Sequence, residues 1–412
     1  MKILFWITFG LIAYTYIGYP VLVYILSHFY RKPLRGKYLY PTVSVLVSAY
    51  NEEKNIEQKL HNLLELDYPE ERIEILVGSD GSTDRTDEII KKVIAATPKV
   101  SRNVTWSQYY DQSQASLGEK LTVWFFRQEP RQGKPSMLNT LVQQAKGDIL
   151  VLTDARQRMD KDAIQELVKY FDDPRVGAVS GDLHYESETG NKTAAGLGLY
   201  WRYEKFIRKS ESRMGSMLGA TGALYAARRS LFPRLPVDLI LDDVYVPLKV
   251  IEQGYRAIFD KRAKVYDKVF DQPKDEFLRK CRTLAGNFQL FVYARKLFNP
   301  FRGKISWQFF SHKFLRLMVP FLLVLMLVSN MMIVSKDCFA LLAAAGNFYA
   351  VFFMLQVVFY ILAVLGGSFK SGKKYLSVPH IFCVMNAAAV VGLWQFLFKR
   401  QNSLWQKAGS SS

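Results

Sequence analysis

The stretch VSVLVSAYNEEKNIEQKLHNLLELDYPEERIEILVGSDGSTD, from Val43 to Asp84, decides the fold. It opens on an apolar, β-branched run, Val43 to Val47, which predicts a buried strand. Leucine and isoleucine at helical spacing follow, and then a second apolar run from Ile73 to Val77. Strand, helix and strand at this spacing predict a βαβ unit with a parallel sheet, and therefore an α/β fold.

Polar residues stand at the end of both strands. Tyr50 and Glu52 follow the first strand, and Asp80 follows the second. Ligands of such sheets bind beyond the carboxyl ends of the strands, so we expect both clusters to line one crevice. No GxGxxG follows the first strand, which argues against a dinucleotide-binding fold. Because Ser82 or Thr83 can cap the next helix, Asp80 is expected to be free for the ligand.

The alternation of strands and helices continues beyond this unit. Three further apolar runs predict strands, namely Leu121–Phe126, Ile149–Thr153 and Val176–Ser180. The polar, aperiodic residues 98–120 predict a loop between sheet elements. A helix is expected from Asp160 to Phe171, and another opens at the adjacent acids Asp242 and Asp243.

Composition narrows the class of protein. Half of the 412 residues are hydrophobic, and the formal net charge is +18. Much of the basic charge lies outside the apolar runs, so anionic lipid headgroups are its expected partner. No RNP, zinc or helix-turn-helix signature accompanies the charge, and nucleic acid is therefore not an expected partner. Cys281, Cys338 and Cys383 are far apart, which excludes a disulfide framework and indicates a reducing compartment.

Four apolar segments are each long enough to span a bilayer, namely Ile3–Phe29, Phe314–Val334, Cys338–Leu365 and Leu376–Phe398. The first has no signal-peptide cleavage site, and basic residues follow it at once, which places that end in the cytosol. Lysines between the last two segments place their connection inside as well. Parity then places the basic C-terminal tail outside, against the positive-inside tendency, so the side of the C-terminus stays open.

These features divide the chain into five parts. They are a first membrane helix with its basic flank (1–37), the α/β domain (38–275), amphipathic interfacial helices (276–305), further membrane helices (306–400) and a tail (401–412).

The quoted stretch resembles the nucleotide-binding half of an inverting GT-A glycosyltransferase of family 2. That family includes cellulose, chitin, hyaluronan and poly-N-acetylglucosamine synthases. The resemblance runs from about residue 40 to about residue 300, with membrane segments on both sides. It implies a Rossmann-like mixed sheet facing the cytosol and a nucleotide-sugar donor, usually a UDP-sugar. By the same resemblance, Tyr50, Glu52 and Asp80 contact the nucleoside.

Three residues are expected to meet the donor diphosphate. Lys134 stands at a predicted helix N-terminus, where the dipole disfavours a cation, so an anionic partner is indicated. Its surroundings, QGKPSMLN, are similar to the glycine-lysine segment of the family. Asp154 matches the first acid of the family's DxD motif, but Arg156 replaces the second. Asp154 is thus the predicted ligand of Mg²⁺ or Mn²⁺, with weaker metal dependence than usual, and Arg156 is a second candidate partner of the diphosphate.

The catalytic candidates are Asp242, Asp243 and Arg282. The adjacent acids resemble the paired acid motif of the family, whose second member is the base. Asp243 is therefore expected to take the acceptor's proton as its oxygen attacks the anomeric carbon, and one displacement inverts the configuration. The segment Arg279 to Thr283 occupies the place of the family's QxxRW, where only Arg282 matches. Arg282 is expected to stabilise the departing diphosphate, although the segment also fits an interfacial helix with a basic face.

Two short segments resemble acceptor-side loops of the family. They are Ser180, Gly181 and Asp182, and Thr221 with Gly222. Trp201 is expected to offer a platform for a sugar ring. Aromatic residues at the spacing of Tyr200, Trp201 and Tyr203 more often serve helix packing.

The predicted function is transfer of a sugar from a UDP-sugar to a glycan or lipid-linked acceptor, with inversion. We expect an integral protein of a bacterial inner membrane that serves surface polysaccharide or glycolipid synthesis. A processive synthase that also translocates its polymer remains an alternative. A nucleotide-sensing transporter or receptor is another. The predicted spans carry almost no ionisable residue away from their ends, which argues against a pathway for charged cargo.

Thr283 leads to a prediction about product length. In the family, the tryptophan at this place offers an apolar face to the growing chain, and aromatic stacking adds on the order of 1 kcal/mol. Threonine cannot supply it, so we expect addition of one or a few sugars per encounter. Products should be sized by mass spectrometry under donor excess and limiting enzyme. Long chains formed while most acceptor stays unextended would contradict this expectation.

Overall fold

The computed structural model of the chain describes residues 1–34, 36–97, 101–104, 121–186, 192–268, 273–301, 303–335, 347–368 and 374–398. The chain divides into two compact units. The membrane unit consists of Met1–Leu26, Glu188–Ile207 and Phe270–Gln401, and the sheet unit consists of Ser27–Ser187, Arg208–Val269 and Asn402–Ser412. The domain bounds expected from the sequence stay a prediction.

The strands of the sheet unit are β1 (Val43–Ala49), β2 (Ile73–Asp80), β3 (Ser101–Val104), β4 (Thr122–Gln128), β5 (Ile149–Asp154), β6 (Arg158–Met159), β7 (Val176–Glu186), β8 (Tyr225–Arg228) and β9 (Arg256–Lys268). They form one sheet in the order β3-β4-β2-β1-β5-β8-β7-β9-β6. Strand β1 pairs in parallel with β2 and β5, so that Val43 lies opposite Ile73 and Ile149. Strand β8 runs antiparallel to both of its neighbours, which makes the sheet mixed. The predicted βαβ unit and the mixed sheet are thus observed.

The α-helices in the described residues are α1 (Lys2–Ala13), α2 (Tyr19–Phe29), α3 (Ile56–Leu64), α4 (Thr86–Ala96), α5 (Lys134–Gln144), α6 (Ala163–Val168), α7 (Lys192–Met214), α8 (Asp242–Glu252), α9 (Pro273–Tyr293), α10 (Lys304–Gln308), α11 (Leu315–Ser335), α12 (Phe348–Ser368) and α13 (Lys374–Leu397). The predicted helix over 160–171 is shorter than expected, since α6 gives way to a 3₁₀ turn at Lys169–Asp172. Helix α8 opens at Asp242, as predicted.

Two predictions about the sheet are wrong. Strand β7 does not end at Ser180 but continues to Glu186, because its parallel pairing with β9 resumes after an irregularity. Gly181 lies inside this strand, and a glycine is needed there because neighbouring atoms come too close for a side chain. A Cβ built there would lie 2.7 Å from the Ala263 carbonyl oxygen. In the predicted 98–120 loop, residues 101–104 form β3, and residues 98–100 and 105–120 lie outside the described part.

The membrane unit contains, among the described residues, four helical segments long and apolar enough to cross a membrane: Lys2–Phe29, Lys304–Ser335, Phe348–Gly367 and Val378–Leu397. Their number agrees with the prediction. Phe5 of α1 packs against Met326 and Ile333 of α11. Residues 338–346 of the third predicted segment lie outside the described part.

The second span begins ten residues before its predicted start, at Lys304 rather than Phe314. The observed span therefore includes His312, and Arg316, which lay near the end of the predicted span, lies further from its end. Arg316 donates to the buried Glu204 at 2.8 Å, and His312 lies 3.4 Å from the same carboxylate. Pairing explains how these groups are accommodated, since an unpaired charge in such a segment is strongly disfavoured.

Candidate active site

The carboxyl ends of β1, β2 and β5 form one edge of the sheet. Ala49 lies opposite Ser79, and Ser48 lies opposite Asp154. The residues that follow these strands are therefore neighbours, as the sequence predicted. This edge gathers Tyr50, Asp80 and Asp154 within the sheet unit.

Asp80 is buried and is not free for a ligand as expected. Its two oxygens accept the N–H groups of Gln132 and Gly133, each at 2.8 Å, and one also accepts the Gln128 side chain at 3.1 Å. Gly133 has φ +97°, a conformation that favours glycine and turns the chain into α5. Asp80 thus anchors the loop that delivers Lys134. The error came from the local turn chemistry, which could not show that a distant loop would use this carboxylate.

The capping prediction for α4 is also wrong. Asp84, not Ser82 or Thr83, accepts the N–H of Thr86, at 2.9 Å. The Ser82 hydroxyl accepts the backbone N–H of Asn51 at 3.2 Å instead, which ties the β1 loop to the β2 loop.

Tyr50 is covered by a residue that the sequence reading missed. The Arg131 guanidinium lies 3.4 Å from the centre of the Tyr50 ring, and its Nε is 3.8 Å from Asp80. Glu52 accepts the side-chain amide of Asn55 at 2.7 Å. Arg131 directly precedes the QGK stretch, and this position could have indicated that it lies near the site. The nucleoside contacts assigned to Tyr50, Glu52 and Asp80 stay predictions.

Lys134 stands between two acidic residues. Its Nζ lies 2.8 Å from Asp154 Oδ1 and 3.2 Å from Asp242 Oδ1. Burial lowers the pKa of Lys134, but Asp154, Asp242 and Asp243 outweigh it and hold that pKa above its usual value. The ammonium is therefore charged and fixed by carboxylates. These carboxylates are anionic partners of the helix-terminal lysine, and its contact with the donor diphosphate stays a prediction.

The two adjacent acids of α8 have different surroundings. Asp242 is buried, and its second oxygen accepts the Tyr225 hydroxyl at 3.1 Å. Asp243 is half-buried and accepts the N–H of Gly222 at 3.0 Å. Burial, and then the Asp242 carboxylate, raises the pKa of Asp243 from 3.8 to about 6. Of the two, Asp243 has the more accessible carboxylate and the basicity suited to accept a proton near neutral pH.

The predicted acceptor residues fall into two groups. Ser180 accepts the N–H of Thr221 at 3.1 Å, so β7 and the Thr221–Gly222 turn lie beside Asp243. Asp182 is buried further along β7, and His184 Nε2 lies 3.1 Å from its carboxylate.

Trp201 and Arg282 belong to the membrane unit. The Lys280 ammonium lies 5.7 Å from the centre of the Trp201 ring, and Arg282 lies half-buried on α9. Tyr203 donates to the Tyr16 carbonyl at 2.9 Å, a contact that fits helix packing. The acceptor and leaving-group roles of Trp201 and Arg282 stay predictions.

Arg156 has a partner inside the sheet unit. Its Nη2 lies 2.6 Å from Asp267 Oδ2, which also accepts the Gln157 amide at 3.1 Å. Asp267 lies on β9, more than a hundred residues away, so no motif spacing could reveal it.

The described residues contain no cluster of three His, Cys, Asp or Glu that could hold a metal ion. Asp154, whose side chain is 38% exposed, offers a single carboxylate. Mg²⁺ is commonly bound by one or two carboxylates together with substrate phosphates, so this donor set fits a cation that arrives with a diphosphate.

Lys59 is a second residue that the sequence reading missed. It lies on α3 with 2% exposure, and its Nζ donates to Thr153 Oγ1 at 2.7 Å and to the Gln157 carbonyl at 2.9 Å. Burial lowers the pKa of Lys59 to about 7, although Asp154 opposes this effect. The sequence could have indicated that Lys59 is buried, since it falls on the same helical face as the apolar residues Ile56 and Leu63.

Comparison with known families gives two matches. Residues 44–105 match the family model described as glycosyl transferase family 2. Residues 149–363, just over half of the 412 residues, match the model described as glycosyl transferase family group 2. The matches include Asp80, Asp154 and Asp243.

Curated relatives are similar over about two thirds of the chain. Poly-beta-1,6-N-acetyl-D-glucosamine synthase of Staphylococcus aureus is 24% identical over 266 residues, which is 64% of this chain and 58% of that protein. Probable glycosyltransferase YdaM of Bacillus subtilis is 24% identical over 276 residues, which is 66% of this chain and 61% of that protein. The chain thus spans less than two thirds of the length of these relatives.

Among solved structures, mannosyltransferase PcManGT from Pyrobaculum calidifontis, in complex with GDP-Man and Mn²⁺, has a TM-score of 0.68. The similarity covers 97% of this chain and 100% of that one at 24% identity. It confirms the predicted GT-A-like α/β fold.

The surroundings of Asp243 generate a prediction about the proton acceptor. Asp243→Asn should retain donor binding and lose about 10²–10⁴-fold in transfer rate, the loss expected for a missing general base. In the unmutated protein, kcat/KM should fall about tenfold per pH unit below pH 6, because protonated Asp243 cannot accept a proton. Both follow from initial rates of transfer measured across pH.

Asp238→Asn removes an exposed acid nearby and is the matched control, which should keep the original rate and pH profile. Unmutated rates in Asp243→Asn, or a profile that stays flat between about pH 5 and 7, would show that another group takes the proton.

Proposed function

Because the chain belongs to glycosyl transferase family group 2, we propose that it transfers a sugar from a nucleotide-sugar to a glycan or lipid-linked acceptor, with inversion. The chain is a glycosyltransferase related to polysaccharide synthases. Donor identity, acceptor identity and inversion belong to the proposal. One observation carries it, namely the ammonium of Lys134 fixed between Asp154 and Asp242, with Asp243 adjacent.

The donor diphosphate is proposed to bind at the Lys134 end of this cluster. The lysine supplies positive charge where the departing nucleotide accumulates negative charge, which stabilises the transition state. Asp154 is the residue that would hold Mg²⁺ or Mn²⁺, which supplies further positive charge to the diphosphate when bound. The relative solved with GDP-Man and Mn²⁺ supports a divalent cation.

Asp243 is proposed to take the proton of the acceptor hydroxyl. The hydroxyl oxygen attacks the anomeric carbon while the bond to the diphosphate breaks, and a single displacement inverts the configuration. The Gly222 N–H holds one carboxylate oxygen of Asp243, so the other can face the acceptor. The Asp242 carboxylate is buried and held by Tyr225 and Lys134, and it helps to raise the pKa of Asp243.

A polymer product is a second candidate. It is favoured by the similarity to a poly-β-1,6-N-acetyl-D-glucosamine synthase, whereas Thr283 in place of the family's tryptophan favours short products. A transporter or receptor has no comparable support, since the matching family model is that of an enzyme. The two curated relatives are bacterial, which supports the proposal of a bacterial membrane. The basic residues that follow the first span support a cytosolic sheet unit.

The proposal is tested by a screen of UDP- and GDP-sugars for hydrolysis or transfer by the purified protein. We expect one donor to be used, a chelator to lower the rate, and Mn²⁺ or Mg²⁺ to restore it. Asp154→Ala should lower the rate at least as much as chelation. Asp162→Ala, which removes an exposed acid beyond the β5 loop, is the matched control.

Absence of turnover with every nucleotide-sugar would contradict the proposed activity. A rate unchanged by chelation would contradict the metal, and Lys134 would then be left to meet the diphosphate charge.

A further inference from the structure

Lys59 is a buried lysine that donates hydrogen bonds to two neutral groups. Its ammonium donates to the hydroxyl of Thr153 and to the backbone carbonyl of Gln157, and it forms no ion pair with any residue that the structure describes. Both acceptors belong to the segment that carries Asp154. The side chain belongs to α3, the helix that follows the first strand. A separate element therefore contacts the segment that carries Asp154.

The hydroxyl of Thr153 connects this contact to the base. Thr153 Oγ1 accepts from Lys59 and donates to the carbonyl of Ala223 at 2.8 Å. Ala223 follows Gly222, whose N–H donates to Asp243. One buried hydroxyl therefore ties the end of β5, which carries the donor-side carboxylate, to the turn that holds the proposed base.

The hydrogen bond from Lys59 to the Gln157 carbonyl is connected to Arg156, the residue that replaces the second acid of the DxD motif. Gln157, whose carbonyl accepts from Lys59, donates its side-chain amide to Asp267 at 3.1 Å. Asp267 also holds Arg156 at 2.6 Å. The positions of Asp154 and Arg156 thus both depend on contacts that begin at one ammonium group.

Stability alone gives no reason for a lysine at this position. Taking an ammonium out of water is strongly unfavourable unless a carboxylate pairs with it, and burial accordingly depresses its pKa. The same face of α3 carries the buried Ile56, Leu60 and Leu63, which an apolar residue would extend. A costly group retained next to a reaction site is better explained by function than by packing.

We propose that Lys59 is a positioning residue, which holds the donor loop Asp154–Gln157 and the base turn Thr221–Ala223 in one fixed arrangement. The inference rests on the proposed function for its effect on rate. Its effect on the arrangement of the two loops stands without it.

Lys59→Met keeps the length of the side chain and removes the charge and both hydrogen bonds. We expect kcat to fall by about tenfold to a hundredfold, the effect of losing hydrogen bonds from a charged group. KM for the donor should change less than kcat, because Lys59 does not touch the substrate. The midpoint of thermal unfolding should stay equal or rise, since a buried charge is removed.

The matched control is Lys54→Met, which removes an exposed lysine just before the same helix. It should change neither kcat nor the unfolding midpoint. A Lys59→Met variant that is less stable but turns over at the original rate would overturn the proposal, because the lysine would then be structural only.

A double-mutant cycle tests whether Lys59 acts through Thr153. Thr153→Val should lower kcat by a similar factor, and the double variant should be no slower than either single variant. Additive losses would overturn the proposed connection. Should Lys59→Met fail to fold, Thr153→Val alone decides, since an unchanged kcat in that variant contradicts the proposal.

Hydrogen exchange separates this inference from the proposed function. In Lys59→Met, the amides of 154–157 and 222–223 should exchange faster than in Lys54→Met, whether or not a donor has been found. Unchanged exchange there overturns the positioning role. Faster exchange in a protein that uses no nucleotide-sugar would support the positioning role while the proposed function fails.

Discussion

Three carboxylates and one ammonium share the carboxyl edge of the sheet, and the rest of the site depends on how their charges balance. Burial and then the neighbouring Asp242 carboxylate raise the pKa of Asp243, because like charges at short range disfavour the ionised form. Lys134 meets two of them directly. The site is thus a cluster of three carboxylates organised around one fixed lysine, and its excess of acidic groups suits a divalent cation that arrives with a diphosphate.

That lysine is held in place by a chain of contacts reaching back into the sheet. Asp80, at the end of β2, accepts the N–H groups of Gln132 and Gly133 and so fixes the turn that opens α5. From the other side, Lys59 reaches the β5 segment that carries Asp154. Buried polar contacts of this kind rigidify a site when they are satisfied, and rigid placement is what electrostatic catalysis requires.

Local patterns predicted the fold well because hydrophobic periodicity reports which face of an element is buried. The runs from Val43 and Ile73 became the central strands, and Asp242 opened a helix as expected. The failures share one physical cause. The expected freedom of Asp80 depended on a loop about fifty residues away.

The end of β7 was misplaced for a similar reason. Gly181 looked like a turn residue, but it marks the close approach of the Ala263 carbonyl inside a strand. From the sequence, Arg156 was only a residue that departs from the DxD motif. In the structure it pairs with Asp267 on a distant strand. Residue types can be read from the chain, whereas the partners of polar groups are set by tertiary contacts.

The most direct test of this account is a structure of the protein with a non-hydrolysable nucleotide-sugar and Mn²⁺. The account predicts that a diphosphate oxygen lies about 3 Å from Lys134 Nζ, that Asp154 ligates the cation, and that the anomeric carbon faces the Asp243 carboxylate. A donor bound away from the Lys134 and Asp154 pair, with Asp243 turned from the sugar, would contradict it.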